Sequence, residues 1–211
     1  FARFVYQAFE LVELPKPEPK EPMLAGSLRL FDMDDNADLE VKLTATERNW
    51  SVVGPKADQT YKVVPDLVSG SKMRMYLKSE QPAFVYMLGT GVTDPTVATL
   101  FPVDGISPAM NYSVSEVALP SENHYFEMDN TTGKNYIVVI FSRQKLDIES
   151  IKGKMSRASG NASERVSAAV GNLVVGAEDV NLDARQISFD IAQSDSGKSA
   201  FAMIIEFNQV D

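Results

Sequence analysis

The chain has 211 residues, 44% of them apolar and 23% charged, with a formal net charge of −9 and a pI near 4.7. That length fits one large β domain or two small ones, and burying roughly 70% of the unfolded surface removes any need for disulfide staples. The acidic balance opposes binding to a phosphate backbone. The absence of cysteine excludes disulfides, thiolate metal sites and cysteine catalysis, and no apolar run approaches the roughly 20 residues of a membrane-spanning helix.

Phe4, Ala8, Leu11 and Val12 recur at helical spacing, so residues 1–14 read as a short helix or as an extended arm. Pro15, Pro17, Pro19 and Pro22 follow, interleaved with Lys16, Glu18, Lys20 and Glu21. These prolines remove backbone donors and fix φ. Residues 15–22 therefore read as a semi-rigid spacer of the kind that carries bacterial proteins through the periplasm, or as a loop on the domain surface. The chain opens on Phe1 rather than Met, which raises the expectation of a removed upstream segment.

From Leu28 the hydrophobic pattern turns to period two. Leu39, Val41 and Leu43 alternate with Glu40, Lys42 and Thr44, and Trp50, Val52 and Val53 follow a short break. Met73, Met75 and Leu77 alternate with Arg74, Tyr76 and Lys78, the pattern of a half-buried strand. Residues 83–88 and 136–141 are nearly continuous apolar runs rich in β-branched and aromatic side chains, as central strands require.

The character changes after Arg143. Asp147 is placed to cap a helix carrying Ile148, Ile151 and Met155, and Asn161 with Glu164 forms a capping box. A second helix then carries Val166, Ala169, Val170 and Leu173 on one stripe, with Gly171 near its end. Ile187, Phe189 and Ile191 alternate, residues 201–207 read as a buried strand, and Asp195-Ser196-Gly197-Lys198 reads as the hairpin turn between them. The expected fold is mainly β: an immunoglobulin-like β-sandwich with a helical segment near 147–172. It occupies a single domain over residues 27–211, preceded by an arm and spacer over 1–26.

Asp32, Asp34, Asn36 and Asp38 place oxygen ligands at alternating positions, as a calcium loop does. Ala37 stands where the turn needs glycine and Leu43 where the bidentate glutamate belongs. The run therefore reads as an acidic β-turn, with weak Ca²⁺ binding as the rival reading. His124 is the single histidine. It lies on a strand-like run, where a Ser-His-Asp triad would need an activated serine beside it.

Ser69-Gly70-Ser71-Lys72 has the Ser-x-x-Lys spacing of penicillin-recognising enzymes but leads into a strand, and the Lys-Thr-Gly partner motif is missing. Gly197-Lys198-Ser199 lacks the earlier glycine of a phosphate-binding loop and also precedes a strand. Gly89-Thr90-Gly91 reads as a glycine pair in a turn. Asn49, Asn111, Asn130 and Asn161 open Asn-x-Ser/Thr sequons. Phe84, Tyr86, Phe101, Tyr125, Phe126, Tyr136 and Phe141 sit on apolar or alternating runs and read as core. No catalytic residue, metal ligand or cofactor site emerges from these patterns.

Tyr61-Lys62-Val63, Gly70, the strand from Met73 to Leu77, Phe84-Val85-Tyr86, Leu100-Phe101-Pro102, Asn111, Leu119-Pro120, and Gly133 ahead of Tyr136 to Phe141 follow one another in a fixed order. This ordered set resembles the bacterial domain-of-unknown-function family 4384, over roughly residues 60–148. The helices and final hairpin are similar to the continuation in Bacteroidetes-type members. The resemblance implies a non-enzymatic β domain that accompanies envelope or signalling modules. The expected function is that of a periplasmic or cell-surface interaction or structural domain. It would dock another envelope protein on its edge strands and engage no nucleic acid. The alternative is a module for carbohydrate or cell-wall ligands, presenting exposed aromatics such as Trp50 or Tyr112.

Overall fold

The computed structural model describes residues 23–44, 60–111, 116–176, 179–192 and 197–211. The readings made for the arm and spacer, for Asn49, Trp50, Val52, Val53 and Tyr112, and for Asp195-Ser196 lie outside these residues. Strands hold 49% of the described residues and helices 12%, in two sheets and two helices, so the fold is a mainly β sandwich.

The period-two segments form the first sheet. β1 (Leu24–Asp32) pairs antiparallel with β6 (Lys72–Ser79), Leu28 lying opposite Leu77 and Leu30 opposite Met75. β10 (Val117–Leu119) flanks β6, while β14 (Ile187–Ile191) and then β13 (Val180–Leu182) extend the far side of β1. β2 (Ala37–Asp38) and β11 (Phe126–Glu127) add short pairings to β1 and β6. On β6 the residues Met73, Met75 and Leu77 are buried, while Arg74, Tyr76 and Lys78 face outward, as alternation dictates. Because β1 opens at Leu24, residues 24–26 already belong to the sheet.

The nearly continuous apolar runs form the second sheet, ordered β3 (Val41–Leu43), β4 (Thr60–Val63), β15 (Ala200–Val210), β12 (Gly133–Ser142), β7 (Ala83–Gly91) and β8 (Ala98–Phe101). β5 (Leu67–Val68) joins β15, and β9 (Ala109–Met110) joins β7. β4 and β5 run parallel to β15; the other pairings in this sheet are antiparallel. β8 ends at Phe101 on the sheet edge, immediately before Pro102, as the missing proline donor requires.

These runs are continuous because the second sheet is covered on both faces. Its inner face meets the first sheet, with Phe189 of β14 packed 4.5 Å from Phe141 and 4.6 Å from Phe201 between ring centroids. Gly26 makes room for that cluster: a Cβ there would stand 3.1 Å from the Phe189 ring and 2.5 Å from the Lys78 carbonyl oxygen. The outer face carries Tyr86, Leu88, Val138, Ile140 and Ile204. Two helices, α1 (Ile148–Arg157) and α2 (Ala162–Val170), lay Ile151, Met155, Val166, Ala169 and Val170 over it.

Both helices start where capping chemistry predicts. The Asp147 carboxylate accepts from the Ser150 N–H at 3.0 Å, and Asn161 and Glu164 close a reciprocal box. Gly171 is the C-cap of α2 but keeps right-handed geometry at φ −58°, so it ends the helix without a left-handed turn. Among the described residues, no helix is long and apolar enough to cross a membrane.

Candidate functional site

The period-two register brings several residues to one end of the sandwich, where the sheets part around a cleft of about 280 Å³. Asn135 of β12 lies opposite Gly91 of β7 on one side and Phe207 of β15 on the other; Ile137 lies opposite Gly89. Gly89-Thr90-Gly91 is thus not a turn, as the sequence suggested, but the last stretch of β7, held in the ladder by β12. The two glycines let the Leu100 and Asn135 side chains lie directly against the sheet. A Cβ on Gly91 would stand 2.6 Å from Asn135 Oδ1, and one on Gly89 would stand 3.2 Å from the Leu100 side chain. Leu100, Phe126, Met128, Ile137 and Phe207 supply apolar lining.

The polar part of the floor is an amide pair. Asn135 Nδ2 donates to Gln209 Oε1 at 3.2 Å; Gln209 Nε2 donates to the Asp129 carbonyl and, at 3.4 Å, to Ser69 Oγ. Gln209 is 3% exposed, so its amide is fixed by these partners. Among the described residues no donor reaches Asn135 Oδ1, which leaves an acceptor in the lining. Asp94 and Asp129 stand at the rim, each bracing its own loop: Asp94 accepts from the Thr96 N–H at 3.0 Å, and Asp129 from the Thr131 N–H at 2.7 Å. Hydrogen bonds from the Thr96 side chain and backbone hold the Asp94 carboxyl below its ordinary pKa. Burial, with the Glu206 charge beside it, pushes the Tyr136 phenol up. The lining holds no serine, cysteine, lysine or histidine; its titratable side chains are Asp94, Glu127, Asp129 and Tyr136.

The candidate metal ligands and catalytic motifs weighed from the sequence lie elsewhere. Asp32, Asp34, Asn36 and Asp38 build the turn between β1 and β2, and each acid there has protein partners. Asp32 Oδ1 accepts from the Asp34 and Asp35 N–H groups, Asp34 Oδ2 accepts from the Lys72 N–H at 3.1 Å, and Asp38 pairs with Arg29 at 2.7 Å. Asn36 takes the left-handed conformation at φ 52°, which its short polar side chain tolerates. The acidic β-turn is what the structure contains. Among the described residues no group of three or more histidines and acids is gathered as a metal set.

His124 is exposed. Its Nδ1 lies 2.7 Å from Ser121 Oγ, but that oxygen also accepts from the Asn123 N–H, so the contact closes a surface turn. Lys72 lies on β6, and the Ser71 hydroxyl accepts from the Val68 N–H in the turn before it. β15, a strand, follows Gly197-Lys198-Ser199. Of the aromatics expected in the core, Tyr86, Phe101 and Phe141 are buried and Phe84, Phe126 and Tyr136 half-buried. Tyr125 departs from that expectation: it is 43% exposed, with Lys72 Nζ 5.5 Å from its ring.

Sequence reasoning missed Asn135 and Gln209, although their signal was present. Asn135, Ile137, Val139 and Phe141 share one face of β12, and Met203, Ile205, Phe207 and Gln209 one face of β15. An amide ending each inward row marks where the core gives way to a polar cleft. No family model, curated protein or solved structure matches the chain.

Proposed function

We propose that this is a non-enzymatic, envelope-associated β-sandwich domain that binds another protein through the end cleft. The observation that carries the reading is the apolar-walled cleft beside Gly89 and Gly91, closed by the Asn135–Gln209 amide pair. Its volume lies just under the usual range of roughly 300–1,000 Å³ for ligand pockets, a size that suits one inserted side chain better than an oligosaccharide. The free Asn135 acceptor asks that segment for a hydrogen-bond donor, and the apolar walls ask for a hydrophobic stem.

Edge-strand docking has less support. The terminal strands β3, β8, β10 and β13 run only three or four residues, too short to template a peptide strand. The proline spacer over residues 15–22 and the resemblance to family 4384 support a bacterial envelope setting, and the net charge of −9 supports a partner other than nucleic acid. The strand order supports the finer, immunoglobulin-like description. β1–β6–β10 and β15–β12–β7 correspond to the A-B-E and G-F-C runs of that sandwich, the helices and β13–β14 being inserted before the last strand.

Carbohydrate or cell-wall ligands form the second reading, favoured by the half-buried Phe126 lining the cleft. Display of peptides cut from bacterial envelope proteins, run beside an array of cell-wall saccharides, separates the two. The protein reading expects selected peptides whose affinity falls at least tenfold in Gly89→Leu, with the circular dichroism spectrum unchanged. Saccharides alone binding at the cleft would transfer the function to the second reading, and neither binding would remove both.

A further inference from the structure

Arg165 is the one charged side chain among the buried described residues, at 7% exposure. It takes part in no ion pair among the described residues. Its guanidinium instead donates to three neutral oxygens: Nε to the Met155 carbonyl at the end of α1 (3.2 Å), one terminal nitrogen to Thr90 Oγ1 of β7 (3.1 Å), and the other to the Pro95 carbonyl (2.7 Å). Thr90 Oγ1 donates in turn to the same Pro95 carbonyl at 3.2 Å. One side chain of α2 thus joins the other helix, the end of β7 and the loop that leads into β8.

That loop is a wall of the cleft. Thr90, Gly91, Asp94 and Thr96 all line it, while the intervening Val97 is buried with the helix cluster. Asp94 borders the cleft, Thr96 borders both the cleft and the helix side, and the Pro95 carbonyl and the buried Val97 meet the helices. Burying a guanidinium costs free energy that neutral acceptors return only in part, and an apolar side chain beside the buried Ala162 and Ala169 would avoid that cost. What the guanidinium adds is geometry: a planar fork whose donors fix the two oxygens of Thr90 and Pro95 relative to each other.

We infer that Arg165 is a positioning residue through which the helix pair sets the width of the cleft, an inference that rests on the cleft being the binding site. It assigns the helical insertion a role beyond covering the second sheet. Without the fork, the segment from Val92 to Val97 keeps the Thr93–Thr132 and Thr90–Pro95 hydrogen bonds but loses its tie to the helix pair through the Pro95 carbonyl.

The chain contains no cysteine, so one introduced thiol reports accessibility without background. Ile137→Cys places it on the cleft floor, and Met75→Cys places it in the core outside the cleft lining. With methyl methanethiosulfonate as the probe, adding Arg165→Gln should speed modification of the Ile137→Cys protein about tenfold and of the Met75→Cys protein less than about twofold. Arg165→Lys, which keeps the charge but not the fork, should give most of the same increase. Equal acceleration at both thiols, the mark of general destabilisation, would overturn the inference, as would no acceleration at the floor. Should Arg165→Gln fail to fold, Thr90→Val removes one arm of the network and is read the same way. No ligand enters this measurement, so a peptide panel that finds nothing removes the binding reading while leaving the labelling result to be judged by itself.

Discussion

The Tyr61 hydroxyl donates to the Asp183 carbonyl at 2.8 Å, tying β4 of the second sheet to the turn between β13 and β14 of the first. The ring is fully buried, and burial pushes the phenol up to about 12, with the Asp183 charge adding to the shift and a Ser188 backbone hydrogen bond opposing it. Below pH 10 the phenol is neutral in both folded and unfolded chains and the tie contributes in full. Between pH 10 and about 12 the unfolded chain releases the proton while the folded chain holds it, so stability falls as pH rises, at up to about 1.4 kcal/mol per pH unit. Burial moves the Tyr86 and Tyr136 phenols in the same direction. Urea unfolding across pH 9–12 should show this fall. Tyr61→Phe should start about 1 kcal/mol less stable at neutral pH and lose less over the alkaline range; a slope unchanged by the substitution would contradict the assignment.

The box at the start of α2 gives a second test. The Asn161 side chain accepts from the Glu164 N–H at 3.0 Å while the Glu164 carboxylate accepts from the Asn161 N–H at 2.8 Å. Asn161→Ala breaks the first bond and should cost about 1 kcal/mol, whereas Asn161→Asp, an equally good cap, should cost a few tenths at most. Chemical unfolding of the two variants side by side decides it; equal losses would mean that the cap oxygen is not what matters.

The fold was legible because burial writes a period into the sequence. Met73, Met75 and Leu77 revealed a strand with one wet face, and the unbroken runs at 83–88 and 136–141 revealed central strands, which the structure covers on both faces. Asp147 and Asn161 revealed both helix starts, since capping is local chemistry. The short strands β10 and β13 left no such trace: each has three residues, fewer than two repeats of an alternating pattern. The cleft was illegible for a different reason. Gly89 and Gly91 carry no side chain to create a pattern, and they become a site only when register sets them beside Asn135 and Ile137 of a strand more than 40 residues away. Nothing in the sequence around Arg165 on the nine-residue α2 marks it for burial; only the β7–β8 loop, brought over it by the fold, supplies its partners.

The acidic turn makes a prediction about calcium. Asp34 is committed to the Lys72 N–H and Asp32 to two N–H groups of its own turn, so these carboxylates already serve the hairpin without a cation. Asp32→Ala should therefore lower stability by about 1 kcal/mol in chelator-treated buffer. The parent's melting temperature should be the same with chelator and with millimolar Ca²⁺. A calcium-dependent rise that Asp32→Ala abolishes would show that the turn opens to bind the ion instead.

Neighbouring residues on β6 test the register that the whole sandwich depends on. Met75 is fully buried against the opposing sheet, while Tyr76 lies on the outer face with the Arg29 guanidinium 4.1 Å from its ring centroid. Arg29 is itself held there by Asp38 and Glu116. Met75→Ala should therefore leave a cavity and cost about 2–5 kcal/mol. Tyr76→Ala removes a half-buried ring and a cation–π contact that contributes roughly 0.5–1 kcal/mol at such sites, so its cost should be clearly the smaller of the two. A slip of one residue between β1 and β6 would send Tyr76 into the core and Met75 into solvent, reversing the order. Unfolding free energies for the two variants distinguish these registers, because no single change in overall stability can invert the ranking of adjacent positions.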